Sequence, residues 1–542
     1  MKLLLAATVI LPVWAWSPSL IDDARLDGAL VSLLVFAALL WKPAKVAPGT
    51  MLFLAAVTLA IFPLFAIGVP IVGGLTDRAP LLAAWGLLAA AIARPKALEQ
   101  AWTPILIAVF AAAGYGLLQL WGIDPLNFSP PSPGPPVAPF SGTNHAAEII
   151  APALIAALAL GWGGKRFLLL LPASFMLGYW DVLAAMISLP VGVLALWVQN
   201  RAKPHRQMLP AVVVLMVMAM GNLSLDRELP AASSSEVSVN QAEHGPGTGL
   251  PTSIKIRLLT NKNGIQHALS LPFGIGLGRY ENDHPGWMPP ELLEIASHNF
   301  TDPATPRAKD PHNEALLMLL EAGWLGLALA CAALWLLWKR PERAHWTSAP
   351  LLVLAVHALV RSPFTDNGSA LALAALLFAA STRHDEKPGI KNWRAAIATH
   401  DWRLLPALTM VSIAACLAVP QLLGELNIAA ALKDGQRDQG KLIAAAAPLQ
   451  RALDWRPWDA VGWGLEASRL SHAGAEIADI RAALVNALRH DPANLFAHTA
   501  LIKLEMLAVE TTGSGFEALA LASLTSCENL APRHPAVREA RT

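Results

Sequence analysis

Long stretches of this chain carry no charge, and short basic clusters separate them, a pattern that constrains the fold more than any other. A helix needs ~20 mostly apolar residues to cross the hydrocarbon core of a bilayer, with a range of about 17–25. On that basis the sequence predicts spans near 2–16, 28–41, 50–73, 79–94, 102–121, 146–163, 166–180, 182–199, 207–222, 314–338, 347–361, 367–381 and 403–424. The expectation is an all-α, polytopic membrane protein of about 13 transmembrane helices, with one large outer loop and a C-terminal helical-repeat domain. The run Met1–Trp16 also has the shape of a signal peptide, but no clear small-residue cleavage site ends it, so an uncleaved first helix is expected.

Composition agrees. Of 542 residues, 55% are apolar and 15% charged, where a soluble domain carries about a quarter charged residues. A net charge of +1 supplies no field to draw the chain to nucleic acid. Cys331, Cys416 and Cys527 are too scattered for a zinc site, and a disulfide framework is not indicated.

Basic residues of short loops mark the cytoplasmic side. One alternate set holds Lys42 and Lys45; Arg94 and Lys96; Lys165 and Arg166; Arg201, Lys203 and Arg206; Lys339, Arg340 and Arg343; and Arg383, Lys387, Lys391 and Arg394. The opposite short loops hold only Arg25, Arg78 and Arg361. The expected orientation therefore puts the N-terminus on the cytoplasmic side. The organisation that follows is helices 1–9 over 1–222, a large outer loop over 223–312, helices 10–13 over 313–424, and an outer tail over 425–542.

The tail changes character at about Gly424, where apolar runs give way to helix-period patterns punctuated by proline. Pro457 and Pro492 follow similar Ala-Leu segments and lie 35 residues apart, close to the ~34-residue period of tetratricopeptide helix pairs. A plain helical bundle is the other reading. Either suits holding a protein partner better than it suits chemistry.

The long loop is where chemistry is expected. In Leu271-Pro-Phe-Gly-Ile-Gly-Leu-Gly-Arg-Tyr280, the alternating Gly274, Gly276 and Gly278 let the chain approach another backbone or a bulky ligand closely. The loop ends in Asp310-Pro-His-Asn-Glu-Ala-Leu-Leu-Met-Leu-Leu-Glu-Ala-Gly-Trp-Leu-Gly326, which enters a span directly. His312 then sits where loop meets membrane, with Asp310 or Asn313 as candidate helix cap. Glu314 and Glu321, seven apart, share a helix face. Glu321 lies inside an apolar span, where a carboxylate costs several kcal/mol unless paired or hydrated. A satisfied cap and a packing seam explain the same residues without catalysis.

His-Asn followed by Glu-x-Gly-x-x-Gly at the end of a large outer loop resembles the O-antigen ligase superfamily of O-antigen ligases, polymerases and bacterial O-linked oligosaccharyltransferases. Three further stretches agree in order: Leu117–Leu126 with Ser141–His145, Pro272–Gly278, and Val356-His-Ala-Leu-Val-Arg-Ser-Pro-Phe364. The resemblance implies transfer of a glycan from a polyprenyl diphosphate to an acceptor hydroxyl at the outer face, with no metal and no cofactor. It implies His312 as the base, Arg257 on the leaving diphosphate with Arg279 as a second candidate by position, and Asn313, Glu314 and Glu321 in support. Histidine suits a base near neutral pH, and the planar arginine fork suits phosphate oxygens. The implied partners are the lipid-linked glycan, a lipid or protein acceptor, and membrane lipids.

One position departs from the pattern. Where the family carries Ser-Arg-Gly, this chain has Leu177-Gly-Tyr-Trp-Asp-Val-Leu183, with Asp181 near the expected arginine. Arg279 or Arg307 replaces it, or the donor differs, or the chain is a non-catalytic envelope scaffold. Within the superfamily, the ligase reading stands beside O-linked protein glycosylation, which the tail favours, and polysaccharide polymerisation.

Overall fold

The computed structural model describes residues 1–14, 29–37, 71–92, 94–126, 139–140, 142–199, 205–228, 252–289, 310–338, 345–381, 405–432, 439–491, 494–512 and 517–530. Among these residues there is no strand. Most of the expected span 50–73 lies outside them, as do 229–251, 290–309 and 382–404.

The apolar runs form helices: α1 (Lys2–Trp14), α2 (Ile71–Ile92), α3 (Pro95–Leu120), α4 (Thr143–Ala159), α5 (Leu170–Tyr179), α6 (Leu183–Gln199) and α7 (His205–Glu228). The loop contributes α8 (Thr252–Leu269) and α9 (Tyr280–Trp287). There follow α10 (Glu314–Trp338), α11 (Ser348–Val360), the single turn α12 (Pro363–Asp366), α13 (Gly368–Ser381) and α14 (Leu405–Leu432). Among the described residues, three stretches are long and apolar enough to cross a membrane: Pro95–Leu120, Glu314–Ala333 and Ser412–Ala431. Seven shorter apolar helical stretches occur beside them among the described residues. The expected span 166–180 is a 3-10 turn, Gly164–Leu169, leading into the ten-residue α5. At 1.5 Å per residue an α-helix of that length reaches only about 15 Å.

The bundle is built around α4, which is buried without a break from Ala146 to Leu158. Its alanines let α3, α5, α6 and α11 approach closely, as small residues do in membrane interiors. Buried among them is Glu148, fully shielded from solvent.

Two helices run past boundaries that the sequence suggested. Arg78 was expected in an outer loop between two spans, but α2 runs from Ile71 to Ile92 straight through it. An ion pair on its guanidinium allows the residue to stay within the helix instead of in a loop. Likewise α14 continues past position 424 to Leu432, because Glu425–Leu432 consists largely of good helix formers. Gly424 is a seat, not a break: a Cβ there would lie 2.6 Å from Cδ of Arg456.

Beyond α14 come α15 (Gln439–Ala444), α16 (Ala446–Trp455), α17 (Ala460–His472), α18 (Ile477–His490), α19 (Leu495–Thr512) and α20 (Glu517–Leu530). Helix ends at Trp455 and His490, and helix starts at Ala460 and Leu495, are each 35 residues apart. Arg456, 1% exposed, joins this tail to α14 through Gln421 at 3.1 Å and Glu425 at 2.5 Å, and it also pairs with Asp459.

Candidate functional site

The site is assembled at the start of α10. Asn313 caps that helix: its Oδ1 accepts the N–H of Leu316 at 3.1 Å, and its carbonyl accepts that of Leu317 at 2.9 Å. Of the two candidate caps, Asn313 is the one used. Asp310 does something else. Its Oδ1 accepts the backbone N–H of His312 at 2.5 Å and the hydroxyl of Ser362 at 2.6 Å. That turn holds His312 at φ 56°, in the left-handed region that non-glycine residues enter at a cost of ~1–2 kcal/mol. Such strain persists only where surrounding bonds enforce it, and it concentrates at functional sites.

The His312 side chain is 30% exposed, whereas that of Asp310 is 3% exposed. Nδ1 of the imidazole lies 3.3 Å from Nη1 of Arg361 and 3.4 Å from Oδ1 of Asp310. Arg361 ends α11, and its Nε lies 3.5 Å from the buried carboxylate of Glu148 on α4. Glu148 also accepts from Asn367 at 3.2 Å. Arg257, on α8, is close enough to feel both Arg361 and Asp310. Burial lowers its pKa first, the like charge of Arg361 lowers it further, and Asp310 opposes the shift.

Arg279 turns elsewhere. Its Nη2 meets Asp283 at 2.5 Å within α9, and its Nε and Nη1 are buried without a hydrogen-bond partner. Arg307 lies outside the described residues. Glu314 accepts the Thr365 hydroxyl at 2.9 Å, tying α10 to α12.

Glu321 meets the condition that its position imposes. Its carboxylate is gripped by both arms of Arg78, Nε to Oε2 at 2.8 Å and Nη2 to Oε1 at 2.6 Å. Oε1 also lies 3.5 Å from the backbone N–H of Tyr280. Two residues later α10 breaks at Gly323, with φ 70° and ψ −176°. The break leaves helix carbonyls without their usual partners. The glycine-rich loop supplies replacements: Ile275 N–H donates to Leu320 at 2.8 Å and Gly276 N–H to Glu321 at 3.1 Å. A Cβ on Gly274 would fall 2.3 Å from the Glu321 carbonyl, and one on Gly323 would fall 2.1 Å from that of Pro272. The glycines serve the approach of two backbones.

Beside this junction lies an aromatic cluster on α9. His284 stacks on Tyr280 with ring centroids 4.8 Å apart and meets Trp287 edge-on at 4.6 Å. Burial pushes the His284 imidazole down to about 3, with Asp310 opposing and His312 adding to the shift.

The structure therefore sets Asn313 beside His312 at the start of α10, and Arg257 where the charges of Arg361 and Asp310, the two neighbours of the His312 ring, act on it. It gives Glu314 and Glu321 tethering contacts and sends Arg279 toward Asp283. Sequence reasoning missed Arg361 and Asp310 as neighbours of the His312 ring. Arg361 stood in the quoted stretch after the loop, but counted only as a loop cation. Asp181, at φ 49° before α6, accepts from Asn222 at 2.9 Å. No group of three or more metal-ligating side chains occurs among the described residues.

Residues 143–331 match the family model described as O-antigen ligase, roughly a third of the chain. That stretch contains Arg257, Arg279, His312 and Glu321 and stops short of Arg361. No curated protein and no solved structure matches the chain.

Proposed function

We propose that this chain is a membrane glycosyltransferase of the O-antigen ligase type. It moves a glycan from a polyprenyl diphosphate to an acceptor hydroxyl at the outer face of the bacterial inner membrane. The observation that carries the reading is the partly exposed side chain of His312, held in a strained turn at the head of an apolar helix, with Arg257 under the influence of the same Arg361 and Asp310 that flank the imidazole. The family match over 143–331 supports it. In the reaction the acceptor oxygen attacks the anomeric carbon while His312 takes the hydroxyl proton. The bond from that carbon to the diphosphate breaks, and its electron pair leaves with the diphosphate, whose charge Arg257 neutralises. A general base contributes ~10²–10⁴ in rate.

A protein acceptor is the second reading, favoured by the tail. The last described helix of the tail, α20, touches α9 of the loop, and the charge of Asp491 in the tail acts on Asp283. A partner held by the 35-residue helical pattern would be presented beside the site, as a tetratricopeptide-like module would do. Reconstitution in proteoliposomes with a polyprenyl-diphosphate glycan and separate lipid, peptide and polysaccharide acceptors tests both readings. Product on the lipid supports ligation and product on the peptide supports protein glycosylation. Failure with every acceptor, at wild-type fold, sinks the enzyme reading in favour of a scaffold.

A further inference from the structure

Two groups of opposite character compete for one nitrogen of His312. A guanidinium only donates hydrogen bonds, so the Arg361 contact requires a lone pair on Nδ1 and places the ring proton on Nε2. An ionised carboxylate only accepts, so a contact with Asp310 requires the proton on Nδ1. The distances, 3.3 Å to Arg361 and 3.4 Å to Asp310, are nearly equal, and a neutral imidazole satisfies one partner at a time. Of the two, the contact with Arg361 has hydrogen-bond geometry. In that state the other ring nitrogen already carries a proton and accepts none.

We propose that Arg361 is a positioning residue that keeps His312 in the wrong tautomer for base catalysis until an anionic diphosphate draws the guanidinium away, whereupon Asp310 takes Nδ1–H and frees Nε2 to act as the base. The inference rests on the diphosphate donor proposed above. It adds an order of events, in which the donor arms the base.

Three features of the structure suit such a switch. Asp310 is fixed by the His312 N–H and the Ser362 hydroxyl, so it stays in place when Arg361 moves. The contact of Arg361 Nε with Glu148, at 3.5 Å, is longer than the 2.6–2.8 Å contacts of Arg78 with Glu321. The like charge of Arg361 acts unfavourably on Arg257, and a diphosphate bound by both would offset that repulsion. Guanidinium forks bind phosphate oxygens in charge-assisted pairs about twice as strong as neutral hydrogen bonds. The tautomer change conserves protons: one leaves Nε2 to water and one arrives at Nδ1. Nε2 then takes the acceptor proton as the new glycosidic bond forms.

Nitrogen-15 NMR of the full-length, histidine-labelled protein in nanodiscs reads the tautomer, with His312 assigned by loss of its signals in His312→Gln. At a pH about two units above the ordinary imidazole value of about 6.5, the wild-type ring should show a bare Nδ1 and a protonated Nε2. Farnesyl diphosphate, which carries no glycan to transfer, should invert that pattern. Arg361→Met should show the inverted pattern without any probe. Should Arg361→Met not fold, Arg361→Met/Glu148→Gln removes the stranded carboxylate and gives the same readout. A protonated Nδ1 in the unliganded wild type overturns the proposal. So does an unchanged ring in the arginine variants, or in wild type with bound probe. If farnesyl diphosphate fails to bind, the diphosphate reading itself falls, and the variants alone decide whether Arg361 sets the tautomer.

Discussion

Glu321 and Arg78, 243 positions apart in sequence, form a two-armed ion pair with side chains 3% and 6% exposed. The pair fastens α10 to α2, and through Tyr280 it reaches the loop. Removing one partner of a buried pair strands the other charge and typically costs ~3–5 kcal/mol, whereas replacing both with apolar groups is often near neutral. Arg78→Met and Glu321→Leu should each lower thermal stability in nanodiscs sharply. The double variant should recover most of the loss. Additive losses would show that the two residues act separately.

His312→Gly should separate catalysis from folding. Glycine accepts the φ of 56° without steric cost, so stability should match or exceed wild type in thermal unfolding. Transfer should nevertheless fall by ~10²–10⁴. Retention of transfer within a few-fold would move the base elsewhere.

Arg257→Lys keeps the charge but loses the planar fork. We expect a fall in transfer of about 10-fold or more, the scale of one charged hydrogen bond, with little change in unfolding temperature. Equal activity in the lysine variant would reduce Arg257 to a source of field.

Gly274→Ala and Gly323→Ala should behave in the opposite way. Each methyl would meet a backbone carbonyl well inside contact distance. Stability and activity should fall together, and hydrogen exchange should rise at Ile275 and Gly276, whose N–H groups bond to α10.

His284 sets a pH dependence. Its folded-state value of about 3 lies below the ordinary 6.5, so the unfolded loop binds the extra proton. Its contribution is fully present above about pH 6.5 and is lost as pH falls toward 3, by about 2 kcal/mol at pH 5. Hydrogen exchange in α9 should quicken over that interval in wild type and not in His284→Phe. A flat wild-type profile would count against the buried neutral imidazole.

The sequence by itself determined the class of this protein. Uncharged runs have no soluble use on this scale, and their helical spacing is local, so α3, α10 and the apolar part of α14 could be read directly. The glycine-rich run was legible as a close approach, because only a missing Cβ permits one. His312 and Asn313 were legible as a loop-to-helix junction for the same local reason.

Tertiary structure alone decided the partners. Nothing near Arg78 in sequence distinguishes a loop cation from the counter-ion of Glu321. Nothing near Arg361 announces a nitrogen 49 positions earlier. At Gly424 local reasoning chose a boundary, whereas the fold lays Arg456 across the glycine and continues the helix. Backbone conformation and hydrophobic period act over a few residues and can be read along the chain. Ion pairs and hydrogen bonds depend on which helices meet, and packing in three dimensions fixes that.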